Sequence, residues 1–404
     1  MNFSTLDNVE LKGKTVFCRA DLNCPLNEKK KPILSGRIIA HAKTIYELHK
    51  KGAKTIILSH QGRKGKDDFI SLKYHASLLS KQVSKLANLK IKIKFINDVC
   101  GKKAKRAIKN LSEGGIILLE NTRFVDCETE FEKTKKCEII ENLSPFCDIF
   151  VLDAFSVSHR AHASVVGFKG KCPCIAGRVM EEELTALLKI NENPSKPSIA
   201  IFGGAKPSDS VPIIKNWLEK EKTDFVLCGG ALANLMLIAS GKEIGSSSYE
   251  FLEKQQALEC LPIAKEIIEK YSDKINLPVD LIVDENGKPN KINISSLPTQ
   301  YPIFDIGPST CRKYIKLISS ASSIFLNGPM GVYEKKEFAK GTKKILRAIS
   351  ENSNAFSVLG GGHTISALKK FRLPHSKFGY VSLSGKALVE FLSGKSLPGV
   401  EMLY

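Results

Sequence analysis

The stretch SIFLNGPMGVYEKKEFAKGTKKILRAISENSNAFSVLGGGHT (Ser323–Thr364) reads as one strand–helix–strand unit. Its first run, Ser323–Leu326, is apolar without alternation, the pattern of a strand covered on both faces. A turn rich in glycine follows at Asn327-Gly328-Pro329-Met330-Gly331, and apolar residues then recur at helical spacing over Phe338–Ser350. A second apolar run, Phe356–Leu359, ends in Gly360-Gly361-Gly362-His363-Thr364. Two parallel strands need a crossover of this length between them, so the unit predicts a parallel sheet flanked by helices.

The same alternation continues outward in both directions. Further strand candidates are Thr15–Arg19, Thr55–Ser59, Ile91–Ile96, Ile116–Glu120 and Ile149–Leu152, then Ser198–Phe202, Phe225–Cys228, Leu281–Val283 and Phe378–Ser382. Arg37–Lys51 and Leu72–Leu86 have helical spacing. So many strands exceed one sheet of ordinary width. The expected fold is therefore α/β, with two doubly wound parallel-sheet lobes. MEEELTALLKINEN (Met180–Asn193) reads as the amphipathic helix joining them, which sets expected domains of 1–185 and 186–392.

The chain has 404 residues, 43% hydrophobic and 25% charged, the composition of an ordinary globular protein. Its apolar runs are strand-sized and its first twenty residues lack an apolar core, so membrane, secreted and fibrous classes are excluded. Eleven cysteines are scattered without a C-x-x-C pair, which predicts free, mostly buried thiols and a cytoplasmic setting. The formal net charge is +19, but only ten of the 61 basic residues are arginine. Lysine is the generic surface charge here, so the arginine positions carry the information about bound anions.

Ligands of open α/β sheets sit at the carboxyl ends of the strands. In the second half these ends are rich in glycine: Gly203-Gly204-Ala205-Lys206, Gly229-Gly230-Ala231, Asp305-Ile306-Gly307-Pro308, Asn327–Gly331 and Gly360–Thr364. Five such turns, expected on one sheet, predict a nucleotide crevice in which backbone amides approach phosphates. The common fingerprints are absent. Gly394-Lys395-Ser396 has Val389 where a P-loop needs glycine, and Gly360 and Gly362 are followed by Ile365 rather than a third glycine.

In the first half the corresponding ends carry cations and small polar groups. They are Arg19–Asn23, Ser35-Gly36-Arg37, Ser59-His60-Gln61-Gly62-Arg63, Glu120–Phe124 and Asp153–His162. Arg37, Arg63, Arg123 and Arg160 together describe a basic cup for a small polyanion.

In order and spacing these motifs resemble the phosphoglycerate kinase family along nearly the whole chain. The carriers are RADLNCP (Arg19–Pro25), SGRI (Ser35–Ile38), SHQGR (Ser59–Arg63), ENTRF (Glu120–Phe124), DAFSVSHRAHAS (Asp153–Ser164), AGRVMEEEL (Ala176–Leu184), GGAKPSDS (Gly203–Ser210), NGPMGVYE (Asn327–Glu334) and GGGHT (Gly360–Thr364). SHQGR, GGAK-x-x-D-S and GGGHT resemble its archaeal branch. The resemblance implies reversible phosphoryl transfer between 1,3-bisphosphoglycerate and ADP, giving 3-phosphoglycerate and ATP, with Mg²⁺ on the nucleotide. It implies a first lobe holding phosphoglycerate through Asp21, Asn23, Arg37, His60, Gln61, Gly62, Arg63, Arg123 and Arg160. A second lobe then holds nucleotide through Gly203, Gly204, Lys206, Asn327, Glu334, Gly361, Gly362, His363 and Thr364. The connecting helix becomes a hinge, and 393–404 returns to the first lobe. Arg37, Lys206, Gly361, Gly362 and Lys386 are the expected catalytic residues, with no protein-held metal. The expected form is a monomer or homodimer without nucleic-acid or membrane partners.

Two departures stand out. His363 replaces the family's usual aspartate, and imidazole is a poor ligand for Mg²⁺. Leu383-Ser384-Gly385-Lys386-Ala387 stands where the family has a Thr-Gly-Gly-Gly-Ala turn. Either Lys386 supplies the charge that such a turn offers through its amides, or the chain is a catalytically weakened paralogue with a binding or regulatory role. A nucleic-acid-binding reading of the +19 charge is disfavoured by a single Trp and the lack of an Arg-rich helix.

Overall fold

In the computed structural model, which describes residues 3–404, the strand–helix alternation builds two separate parallel sheets. The described part of Met1–Leu184 forms one compact unit with Ser396–Tyr404, and Thr185–Lys395 forms the other. Their boundary falls within the helix Arg178–Asn191.

The first unit's sheet has the spatial order Lys94–Phe95, Ile116–Leu118, Lys54–Leu58, Thr15–Ala20, Ile149–Asp153, Cys174–Ala176, all parallel. Its central strands are buried along nearly their whole length, which explains their unbroken apolar runs. Phe150 stacks on Phe168 at 4.6 Å beneath Phe17, filling one face. The expected strand Ile91–Ile96 contracts to Lys94–Phe95, because Ile91 and Ile93 turn into the core from irregular backbone.

The second unit's sheet has the order Tyr380–Val381, Phe356–Gly360, Ser323–Asn327, Ser198–Phe202, Phe225–Cys228, Ile275–Asn276, again parallel. The Ser323–Thr364 unit thus lies at its centre. Trp217 and Phe202 pack on Phe325, with ring centroids 5.2 and 5.6 Å away.

Two expectations need correction. The strand predicted at Leu281–Val283 is not in the parallel sheet. It extends over Asp280–Glu285 and pairs antiparallel with Lys288–Asn293 and Ile303–Ile306 in a small third sheet. The Asp305–Pro308 turn therefore leaves that sheet, and four glycine turns, not five, end strands of the six-stranded one. Lys288–Asn293 has no apolar pattern because it is an exposed edge, which also tolerates Pro289. Its hairpin turn, Asn286-Gly287 with φ of 53° and 86°, was the available signal.

The second correction concerns the cysteines. Cys127 and Cys137 form a disulfide, with Cα atoms 5.1 Å apart, so these two thiols are not free. Among the described residues, no helix is long and apolar enough to cross a membrane.

Candidate active site

In each six-stranded sheet the site residues gather where strand order reverses. In the first unit the connections after Thr15–Ala20 and Ile149–Asp153 run to opposite sides, opening a crevice at their carboxyl ends. Asp21 follows the first strand, and its buried carboxylate receives Arg37 Nη1 at 2.8 Å and the Ser156 hydroxyl. Arg37 Nη1 also reaches the Asn23 carbonyl at 3.4 Å. Burial opposes ionisation of Asp21, but Arg37, helped by the Ser156 hydroxyl, overrides it and holds the carboxyl far below the usual range. The Asp21 amide donates to His41 Nε2 at 3.2 Å, and His41 Nδ1 donates to Asp153 at 2.8 Å. Arg37 and His41 lie one turn apart on the helix Gly36–Lys50, so one helix face serves both partners of Asp21.

A second group of cations adjoins this one. Arg19 is 1% exposed; its Nε donates to the Ser164 hydroxyl at 2.9 Å and its Nη2 lies 3.0 Å from His60 Nδ1. Buried Glu128 answers Arg19 through Ser164, accepting that residue's amide at 2.8 Å. Arg123 is pushed down to about 10 by burial and by the charges of Arg160 and Arg19, with Arg63 adding to them. Burial and the same cations push His162 down to about 3, and burial with Arg19 pushes His60 well below its ordinary value. This excess of cations over the carboxylates Asp21 and Glu128 in one crevice suits a bound polyanion.

Asp21, Asn23, Arg37, His60, Gly62, Arg123 and Arg160 therefore come together, with Arg63 exposed beside them. Gln61 does not present its side chain to the crevice. It is fully buried, pairing both ways with the Cys24 backbone (2.9 and 3.1 Å) and meeting His75 Nε2 at 3.1 Å. Asn23 spends its side-chain oxygen on the Gly62 amide at 3.0 Å, and Arg123 spends Nη1 on the Gly62 carbonyl. Gly62 itself is a turn at φ +69°, where a Cβ would lie 2.2 Å from the Asp68 carbonyl oxygen.

In the second unit the crevice lies between Ser198–Phe202 and Ser323–Asn327. The Gly203 amide donates to the Asn327 carbonyl at 2.9 Å, and the Gly204 amide to that of Pro329 at 2.7 Å. The Gly230 amide donates to Met330 at 2.8 Å, and that of Gly328 to the buried Thr364 hydroxyl at 3.0 Å. No side chain fits between these loops: a Cβ on Gly203 would sit 2.1 Å from the Pro329 oxygen. Gly361 (φ +89°) caps the ten-residue helix Gly362–Phe371, and a Cβ on Gly362 meets nothing within 4 Å, so this turn is open for a ligand. Lys206 caps the helix Pro207–Glu219 with its side chain exposed and unpaired.

His363 Nδ1 lies 3.4 Å from Glu334 Oε1, both groups being largely exposed. Lys386 is 71% exposed and pairs with Glu390 at 3.3 Å on the helix Lys386–Leu392. Among the described residues, no cluster of three or more His, Cys, Asp or Glu side chains is arranged to hold a metal ion.

Comparison with known proteins shows the family of the chain. A family model described as phosphoglycerate kinase matches residues 6–395. The chain belongs to the phosphoglycerate kinase family. It is 40% identical over 414 residues to the phosphoglycerate kinase of Methanococcus maripaludis, with 99% of this chain and 98% of that one covered. The phosphoglycerate kinase of Thermoplasma acidophilum is 38% identical, with 99% and 97% covered. Both relatives are archaeal. The crystal structure of phosphoglycerate kinase from Pyrococcus horikoshii OT3 superposes with a TM-score of 0.87 at 36% identity, covering 99% of this chain and 98% of that one. As a member of the phosphoglycerate kinase family, the chain is a kinase that transfers phosphate with ATP and ADP.

Against the expectations for a phosphoglycerate kinase, reading the motifs missed His41 and Glu128, and it quoted Arg19, Asp153 and Ser156 without giving them a role. His41 has a signal in its i+4 spacing from Arg37, whereas Glu128 lies in an unremarkable helix, Cys127–Thr134. The buried imidazoles also predict a pH response. His60 is neutral in the fold, and His75, pushed by burial to about 4, and His162, at about 3, take up protons only well below the ordinary 6.5. The unfolded chain binds those protons first, so stability is full above pH ~6.5 and falls as pH drops toward 4. The slope approaches about 3 kcal/mol per pH unit if all three contribute, because Asp305, pushed by burial up to about 7, takes up its proton first in the fold and offsets about one of them. Chemical denaturation at pH 7, 6 and 5 checks this, and a flat profile contradicts it.

Proposed function

We propose that the first unit's cation cluster holds 3-phosphoglycerate or 1,3-bisphosphoglycerate, and that the second unit's glycine loops hold Mg-ADP or Mg-ATP. The observation that carries this reading is the group of Arg63, Arg123 and Arg160 beside buried Arg19, with Glu128 as the carboxylate acting on both Arg19 and Arg123. Anions with several oxygens neutralise such a cluster, and guanidinium forks match phosphate and carboxylate geometry.

In the ATP-consuming direction the nucleophile is a carboxylate, ionised at neutral pH, so no general base is needed. Asp21 fixes Arg37 at the crevice edge, and Arg37 neutralises charge between the attacking carboxylate and the transferring phosphoryl. Lys206 and the Gly361-Gly362 helix start add positive potential. Magnesium, when bound with the nucleotide, neutralises phosphate charge. Lys386 lies at its helix start with an exposed ammonium, and in this reading it exchanges Glu390 for the phosphoryl oxygens. Lys386→Ala then lowers kcat about tenfold, and an unchanged kcat sinks that role.

Titration calorimetry separates the two sites. Arg123→Ala is expected to weaken 3-phosphoglycerate at least about tenfold while leaving ADP within about twofold, and Lys206→Ala to do the reverse. A variant that weakens both ligands equally contradicts the division. The substrates are polyanions of central metabolism, which supports a cytoplasmic setting, and nothing in the reaction requires a second chain.

A further inference from the structure

Three thiols converge at the end of the first sheet opposite the cation cluster. Cys147 lies two residues before the strand Ile149–Asp153, and Cys172 two residues before Cys174–Ala176, which begins with the third. The sulfurs of Cys147 and Cys172 lie 3.3 Å apart, and the Cys174 thiol donates to the Cys172 carbonyl at 3.4 Å. All three are only half-buried, whereas Cys18, Cys24, Cys100, Cys228 and Cys311 are buried. Cys260 is also half-buried, but no other thiol contacts it.

We propose that Cys172 is a thiol-exchange site for low-molecular-weight disulfides, with Cys147 as its resolving thiol. The Cys172 thiolate attacks one sulfur of R–S–S–R, forming a mixed disulfide and expelling RS⁻, which takes up the proton lost from Cys172. Cys147 then attacks the Cys172 sulfur, forming the Cys147–Cys172 bond and releasing a second RSH with the proton that Cys147 gave up. Two thiols are oxidised and one external disulfide is reduced to two thiols. Closing 3.3 Å to a bond of about 2.05 Å needs side-chain movement of only about 1 Å.

The surroundings favour this order of attack. The neighbouring Cys147 and Cys174 thiols favour the charged form of Cys172 and hold it below the ordinary thiol range, while burial pushes Cys147 upward. Charged groups nearby are Asp148, which opposes ionisation of Cys172, and Lys169, which acts on Cys174. The new bond would enclose residues 147–172, a ring that includes Asp153, Ser156, Arg160 and Ser164. Exchange at one end of the sheet would thus restrain the segment that builds part of the cation cluster at the other.

The full chain, fully reduced and then exposed to oxidised glutathione at pH 7, tests the proposal by peptide mapping after acid quench. The expected product is a Cys147–Cys172 crosslinked peptide, formed at least about tenfold faster than any adduct on Cys260. Cys147→Ser should trap glutathione on Cys172 and retain kinase activity, and Cys174→Ser should slow the first step. Oxidised protein should melt about 5–10 °C above Cys147→Ser treated identically. Cys172 reacting no faster than Cys260, a Cys172–Cys174 crosslink, no adduct in Cys147→Ser, or a lower melting temperature on oxidation would each overturn it.

Discussion

Arg37→Ala is expected to lower kcat about 10²- to 10³-fold in both directions, while the KM for ADP stays within about threefold. The expectation rests on where the side chain is held. Asp21 fixes Nη1 at 2.8 Å, and that carboxylate is itself fixed by Ser156 and by the His41–Asp153 pair acting through the Asp21 amide. Such a guanidinium requires little reorganisation when charge builds on the transferring phosphoryl, which is where preorganised cations are most effective. Asp21→Asn keeps a side chain of the same shape but removes the charge that orients Arg37, so it should also lower kcat, by less. A loss of Arg37→Ala confined to KM would mean that the residue only binds ground-state substrate, and the assignment would fail.

Glu128→Ala carries the second large effect, on stability. Glu128 is fully buried and accepts the Ser164 amide at 2.8 Å, the Ser164 hydroxyl at 2.5 Å and the Thr122 hydroxyl at 3.3 Å. Removing it leaves Arg19, 1% exposed, facing Arg123 and Arg160 with only Asp21 left to answer it. Breaking a buried charge arrangement in this one-sided way destabilises by about 3–5 kcal/mol. Glu128→Gln, which keeps the shape and one acceptor, should lose less. In that variant 3-phosphoglycerate should raise the melting temperature more than in the wild type, because a bound anion supplies part of the missing negative charge. Equal ligand-induced shifts in the two proteins would show that Glu128 is not coupled to the anion site.

These residues also show what was legible in the sequence. The parallel strands were, because burial on both faces writes an unbroken apolar run, as in Ile149–Asp153 and Ser198–Phe202. Lys288–Asn293 was not, since an exposed edge strand has no face to bury. Scarce arginines and strand-end glycines located both crevices, because only a few residue types serve those positions. The motif did not separate roles within a loop. His60 and Gln61 are neighbours, yet one touches Arg19 in the crevice and the other staples Cys24. Supporting residues such as Glu128 and Asp153 act through tertiary contacts 36 and 112 positions away, which local pattern cannot express. Cys127 and Cys137 are likewise joined by the path of the chain between them and not by a recognisable spacing.

The most direct test is steady-state ATP formation from 1,3-bisphosphoglycerate and ADP by the full chain. A turnover of about 1–10³ s⁻¹, in the range of ordinary enzymes, is the expected result despite His363 and Lys386 standing at altered positions. Protein that binds ADP and 3-phosphoglycerate yet forms no ATP above background would contradict the account.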